Sequence, residues 1–228
     1  MSLSSLELAQ FIDHTLLRAD ATTADFQRLC QEAARYRFHS VCVPGSRVVQ
    51  AAHWLEETQV KVAAVVGFPL GNTDSDAKRY EAEMAIDLGA QELDLVINIG
   101  RIKEGEDRQV LRELRDVVEA ADGVPVKVIL ECCLLTEEEK RRACSLVVES
   151  GAKFVKTSTG FSTGGATVDD VRLLRECVGE KFGVKASGGI RDRKTALALI
   201  EAGASRLGTS SGVAILGEFP EVSGGLGY

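Results

Sequence analysis

KVAAVVGF (61–68), ELDLVIN (92–98), PVKVILE (125–131) and KFVKTS (153–158) are built alike: short, rich in valine, isoleucine or leucine, and bounded by glycine, proline or polar residues. Runs this apolar suit strands buried on both faces, as in a parallel sheet covered by helices. Weaker versions occur at FIDHT (11–15), SVCV (40–43), GVKAS (183–187) and SRLGTS (205–210), bringing the expected strands to eight. Helical periodicity fills the gaps. Residues 22–37 place Phe26, Leu29, Cys30 and Ala33 on one face behind a Thr cap, and residues 74–88 follow Asn72-Thr73. Residues 104–121 place Val110, Leu111, Leu114, Val117 and Val118 at helical spacing. Thr136-x-x-Glu139 and Thr167-x-x-Asp170 read as capping boxes, the second with Asp for Glu. Gly89-Ala90, Gly151-Ala152 and Gly203-Ala204 each follow a helical pattern and precede a strand, where glycine suits a left-handed helix end.

Eight alternating units predict an α/β protein folded as a closed (β/α)8 TIM barrel, compact because 228 residues is short for an architecture of about 250. An open doubly wound sheet is the alternative. It usually carries GxGxxG or GxxxxGK[ST], and neither occurs. Without a Pro/Ser-rich linker, residues 1–228 are expected to form a single domain.

Lys+Arg 27 against Asp+Glu 34 gives a net charge of −7, which argues against a general nucleic-acid binder. Apolar runs such as Val62 to Val66 are far below the roughly 20 residues of a bilayer span, so no membrane helix is expected. The N-terminal MSLSSLELAQFID lacks a basic stretch and reaches Glu7 and Asp13 early, unlike a secretory signal. Six cysteines without CxxC spacing are expected to be reduced, mostly buried thiols of a cytoplasmic protein. His14, His39 and His53 lack ligand spacing, so no metal site is expected; no cofactor is expected either.

Charges inside runs that should be dry are the chemical signal. Alternation in ELDLVIN puts Glu92, Asp94, Val96 and Asn98 on one face and Leu93, Leu95 and Ile97 on the other. The apolar face should meet the helices, so Asp94 should point into the barrel. Lys127 and Glu131, Lys156, and Lys185 fall in the strands that follow. An isolated charge there would cost several kcal/mol. Structural pairing among these charges is one explanation. The other is chemistry at the carboxyl ends of the strands, where barrel active sites lie and where Asp94, Lys156 and Lys185 are expected. Lysines on neighbouring strands repel, and burial adds to this, so a Lys pKa falls. A depression of roughly three units from about 10.4 leaves about half the amine neutral at pH 7, ready to attack a carbonyl and form a Schiff base. Asp94 could then move protons on the substrate hydroxyl. Spacing alone does not say which lysine attacks and which tunes.

Three Gly/Ser/Thr loops follow the last strands: Thr157-Ser158-Thr159-Gly160, Ser187-Gly188-Gly189 and Gly208-Thr209-Ser210-Ser211-Gly212. Backbone N–H groups at such turns hold phosphate, and the loops after strands 7 and 8 are the usual phosphate site of barrels. Arg191 and Arg206 lie close enough in sequence to assist.

VKTSTGF around Lys156, VKASGGIR around Lys185, ELDLVINIG around Asp94 and SVCVP around Cys42 together resemble the deoxyribose-phosphate aldolases, over nearly the whole chain from IDHTLL (12–17). The resemblance implies a barrel aldolase of the Schiff-base class. Its reaction would reversibly cleave 2-deoxy-D-ribose 5-phosphate to D-glyceraldehyde 3-phosphate and acetaldehyde in deoxyribose phosphate catabolism. It gives Lys156 the Schiff base, Lys185 the tuning of that lysine and help in proton transfer, and Asp94 the proton relay. It implies phosphate contacts at Gly160, Gly188, Gly189, Ser210 and Ser211, and substrate-proximal roles for Asp13, Thr15 and the pocket thiol Cys42. The C-terminal Tyr228 corresponds to a tyrosine that carries protons from a mobile tail. Similar proteins are often homodimers. The chain departs from the family at Val43-Pro44-Gly45, where many members read Val-Asn-Pro, so the loop after the second strand should differ. Another phosphosugar-acting TIM-barrel aldolase or isomerase is the alternative function.

Overall fold

Parallel strands pair in strict chain order and the eighth returns to the first, closing a barrel, in a computed structural model that describes residues 3–217. They are β1 (Ile12–Thr15), β2 (Ser40–Val43), β3 (Lys61–Val66), β4 (Glu92–Val96), β5 (Val126–Ile129), β6 (Phe154–Lys156), β7 (Gly183–Ser187) and β8 (Arg206–Thr209). All eight expected strands are present, mostly trimmed at their ends. A helix lies between each consecutive pair, which covers the outer sheet face and makes parallel pairing possible.

Helix boundaries follow local chemistry. Thr22 and Thr136 form capping boxes with Asp25 and Glu139. At Thr167 only half the device forms: its side chain accepts the Asp170 N–H, while the Asp170 carboxylate takes Thr167 Oγ1 at 2.8 Å and Lys140 Nζ at 2.6 Å. The helix expected over 104–121 starts later, at Asp107, and runs to Ala120; Glu104 instead ends a separate helix, Ile99–Glu104, which Gly105 closes by turning left-handed at φ 72°. Gly89, Gly151 and Gly203 have φ of 106°, 88° and 114°, the conformation their positions after helices require. Pro44 caps a short 3-10 turn at Gly45–Arg47, which is the shape of the loop after β2.

Alternation sorts the two sheet faces as ELDLVIN implies. Leu93, Leu95 and Ile97 join the core between sheet and helices, with Val41, Val43, Val62, Ala64, Val128, Val155, Val184 and Leu207. The interior is different. One wall is a small apolar patch of Cys42, Ala63 and Val65. Much of the rest is charged: Asp13, Glu92, Asp94, Lys127, Lys156, Lys185 and Arg206 are all buried. Gly183 makes room in this interior. It pairs with Phe154, and a Cβ there would lie 2.2 Å from that ring. Gly183→Ala is therefore expected to destabilise by about 1–3 kcal/mol through overpacking, read as a melting temperature lower by several degrees. An unchanged melt would mean the ring moves aside freely.

Candidate active site

Each interior side chain is set by its register. Lys156 ends the three-residue β6 and pairs with Lys185 at the middle of β7, while Asp94 at the middle of β4 pairs with Lys127 on β5. Asp94 and Lys185 thus lie deeper than the strand ends where they were expected. The barrel brings all four together around one carboxylate. Lys156 Nζ and Lys185 Nζ each donate to Asp94 Oδ2 at 2.7 Å, and Lys127 Nζ donates to Asp94 Oδ1 at 2.9 Å.

The network continues below this cluster. Lys185 Nζ is also 2.5 Å from Asp13 Oδ2. Arg206 bridges Asp13 Oδ1 at 2.9 Å and Glu92 Oε2 at 3.0 Å. Lys127 Nζ reaches Glu92 Oε2 at 2.7 Å, and His39 Nε2 lies 3.1 Å from Glu92 Oε1. Arg206 therefore braces carboxylates inside the barrel and is no phosphate ligand. Glu92 was legible as an interior residue from the same alternation that placed Asp94, but nothing in the sequence paired it with Arg206, 114 residues away.

These contacts separate the two lysines. Burial lowers Lys156, and the charge of Lys185 lowers it further; Asp94 opposes both and does not outweigh them. Burial would lower Lys185 too, but the Asp13 and Asp94 carboxylates outweigh it and hold that ammonium above its ordinary value. Repulsion between lysines is thus the second cause at Lys156, behind desolvation. Asp94 lies well below the usual carboxylate range: burial would raise it, but Lys127, Lys156 and Lys185 prevail.

Above the cluster lies a pocket of ≈ 310 Å³ with Lys156 in its wall. Gly160, Gly188, Gly189 and Ser210 line it, as does Thr15, with the arginines Arg18 and Arg191 also in the wall. Gly160, Gly188 and Gly189 have φ of 85°, 89° and 78°. In that conformation successive backbone N–H groups can turn toward an anion. Close approach also demands glycine at 188, where a Cβ would lie 3.0 Å from Gly165 Cα. The buried carboxylate of Glu131 secures the loop after β6 by accepting the N–H and Oγ1 of Thr159.

Three expected residues lie elsewhere. Asp13 is fully buried beside Lys185, one layer beneath the pocket. Cys42 is fully buried with Sγ 3.9 Å from Asp94 Oδ2, and burial, helped by the Asp94 charge, pushes its thiol up to about 11. Ser211 stands at the N-terminal end of the helix Gly212–Leu216, without a side-chain cap bond, and is outside the pocket wall. Tyr228 is outside the described residues. Sequence reasoning passed over Phe161, which lines the pocket and packs edge-to-face on Phe68 with centroids 5.3 Å apart. Its place in VKTSTGF directly after Gly160 was the available signal.

The sequence pattern of the family described as DeoC/LacD family aldolase matches residues 8–218. Deoxyribose-phosphate aldolase of Alkaliphilus oremlandii is 56% identical over 93% of this chain and 96% of that protein. The enzyme of the same name from Carboxydothermus hydrogenoformans is 57% identical over 93% and 95%. Among solved structures, a deoxyribose phosphate aldolase from Aeropyrum pernix, described as a unique tetramer, superposes with a TM-score of 0.88. It shares 36% identity over 93% of this chain and 91% of that one. Fold and relatives agree, and the chain belongs to the DeoC/LacD family of aldolases.

Proposed function

We propose that the protein is a Schiff-base aldolase that reversibly cleaves 2-deoxy-D-ribose 5-phosphate into D-glyceraldehyde 3-phosphate and acetaldehyde, with Lys156 as its nucleophile. One observation carries the assignment: of the three lysines on Asp94, Lys156 alone is in the pocket wall, and its amine is held below the ordinary lysine value.

The neutral Lys156 amine adds to the C1 aldehyde of the open-chain sugar, and loss of water gives an iminium. The iminium draws the electrons of the C2–C3 bond as a base takes the C3 hydroxyl proton. D-glyceraldehyde 3-phosphate leaves, and a two-carbon enamine stays on Lys156. Protonation at C2 and hydrolysis release acetaldehyde and restore the amine. Asp94 and the ammonium of Lys185, 2.7 Å apart, are the acid–base pair that moves these protons. Backbone N–H groups of Gly160, Gly188, Gly189 and Ser210 bind the phosphate, and Thr15 borders the sugar. Asp13 acts through Lys185, Cys42 through the packing around Asp94, and Ser211 through the turn that presents Ser210. A single barrel domain, with no cofactor and assembled as a homodimer, belongs to the same reading; sedimentation at working concentration checks the dimer.

Borohydride with acetaldehyde is expected to trap one covalent adduct, in the peptide containing Lys156. Initial trapping rates are expected to rise with pH through a midpoint below the usual 10.4 of lysine, because only the neutral amine attacks. Trapping on Lys185, or a midpoint at the ordinary value, would overturn the assignment. A coupled assay for glyceraldehyde 3-phosphate released from deoxyribose 5-phosphate tests the substrate.

A further inference from the structure

The cluster on Asp94 rests on a second charged layer that the reaction above does not use. Through shared contacts the buried network joins three carboxylates, Asp13, Glu92 and Asp94, to three cations, Lys127, Lys185 and Arg206, besides Lys156. In the resting site these six charges cancel. A proton on Lys156 would make this buried network net positive, and a buried net charge is costly.

Every element packed around Lys156 contributes. Asp13 comes from β1, Cys42 from β2, Glu92 and Asp94 from β4, Lys127 from β5, Lys185 from β7 and Arg206 from β8. His39 and the half-exposed Lys61 touch Glu92 at the far end. At the mouth Glu131 is bonded to Thr159, and Arg18 and Arg191 line the pocket. Within this set Lys127 has a particular place. It is fully buried, touches no pocket wall, and joins the two layers by holding Asp94 at 2.9 Å and Glu92 at 2.7 Å. It is also the first of the charges that hold Asp94 in its anionic form against burial.

We propose that Lys127 and Glu92 are positioning residues that set, through Asp94, how readily Lys156 gives up its proton. The inference rests on Lys156 being the Schiff-base nucleophile. Lys127 draws on the Asp94 carboxylate that would otherwise stabilise a Lys156 ammonium more strongly. Glu92 restrains Lys127 in turn, so the two act with opposite sign. Lys127→Met removes a cation, leaves the network net negative and raises the proton affinity of Lys156. Glu92→Gln removes an anion, leaves the network net positive and lowers it. Lys127 and Lys156 share one carboxylate and so lie roughly 6 Å apart. At that distance, with an effective dielectric of about 20, a unit charge moves a titration midpoint by about two pH units. Glu92 is more remote and should move it by about one.

The test is the pH dependence of the initial rate of acetaldehyde capture on Lys156, quenched with borohydride, in wild type, Lys127→Met and Glu92→Gln. Relative to wild type, the Lys127→Met midpoint is expected about two pH units more alkaline and the Glu92→Gln midpoint about one unit more acidic. A loss of packing alone lowers rates without moving two midpoints in opposite directions. Unmoved midpoints, or midpoints moved in the same direction, overturn the inference while leaving the nucleophile assignment intact. Wild-type protein that forms no adduct at Lys156 overturns that assignment first. Should Lys127→Met not fold, Glu92→Gln decides alone, and an unmoved or alkaline midpoint there overturns the inference.

Discussion

Lys156→Ala is expected to lower kcat for deoxyribose 5-phosphate cleavage by about 10⁴-fold or more and to abolish borohydride trapping, while the fold survives. Loss of the amine removes the covalent route altogether. Lys185 cannot replace it, although the two lysines pair across β6 and β7. Its nitrogen is held by Asp13 at 2.5 Å and Asp94 at 2.7 Å, and those anions keep it charged. A charged ammonium has no lone pair to offer. The stability cost of the substitution should be small, about 2 kcal/mol or less, because burial disfavours the charged form of this side chain and its removal relieves that penalty. Steady-state kinetics, trapping and a thermal melt distinguish the outcomes. Retention of a tenth of wild-type activity, or an adduct formed at another lysine, would contradict the role given to Lys156.

Asp94→Asn should damage both chemistry and fold. The carboxylate accepts from three buried lysine nitrogens, and an amide of the same shape offers them one neutral oxygen. Breaking a buried charge network from one side costs about 3–5 kcal/mol, which for a chain of this length lowers the melting temperature by about 10 °C. Turnover should fall by about 10²–10⁴-fold as the proton-transferring group is lost. The pH dependence of the wild type has a definite sign. Asp94 is ionised far below the usual carboxylate range in the folded state. Its stabilisation is therefore fully present above about pH 4, the value in the unfolded chain, and is lost only as pH falls through the lower folded-state value. In Asp94→Asn that acid-side loss should be smaller. Thermal melts of both proteins between pH 2 and pH 7 measure it. Equal melting temperatures at pH 7 would show that the lysines find other partners or simply deprotonate.

Much of this was legible in the chain. Short Val/Ile/Leu runs, helical patterns between them and glycines at the helix ends determined a closed eight-unit barrel, because a strand buried on both faces must be apolar and a parallel sheet must return through helices. The period of two in ELDLVIN determined that Asp94 faces inward, and the same period carried Glu92 with it. The loops after β6 and β7 announced themselves by glycines, which accept their left-handed turns without strain. Only the tertiary structure decided the division of labour between the lysines. Both stand in nearly identical VK motifs and share Asp94, and the neighbour that separates them, Asp13 on Lys185, comes from a strand far away in sequence. It also withdrew Asp13, Cys42 and Arg206 from the pocket, because depth along the barrel is set by the stagger of neighbouring strands. A pattern of period two says which face a residue takes and is silent about how deep it lies.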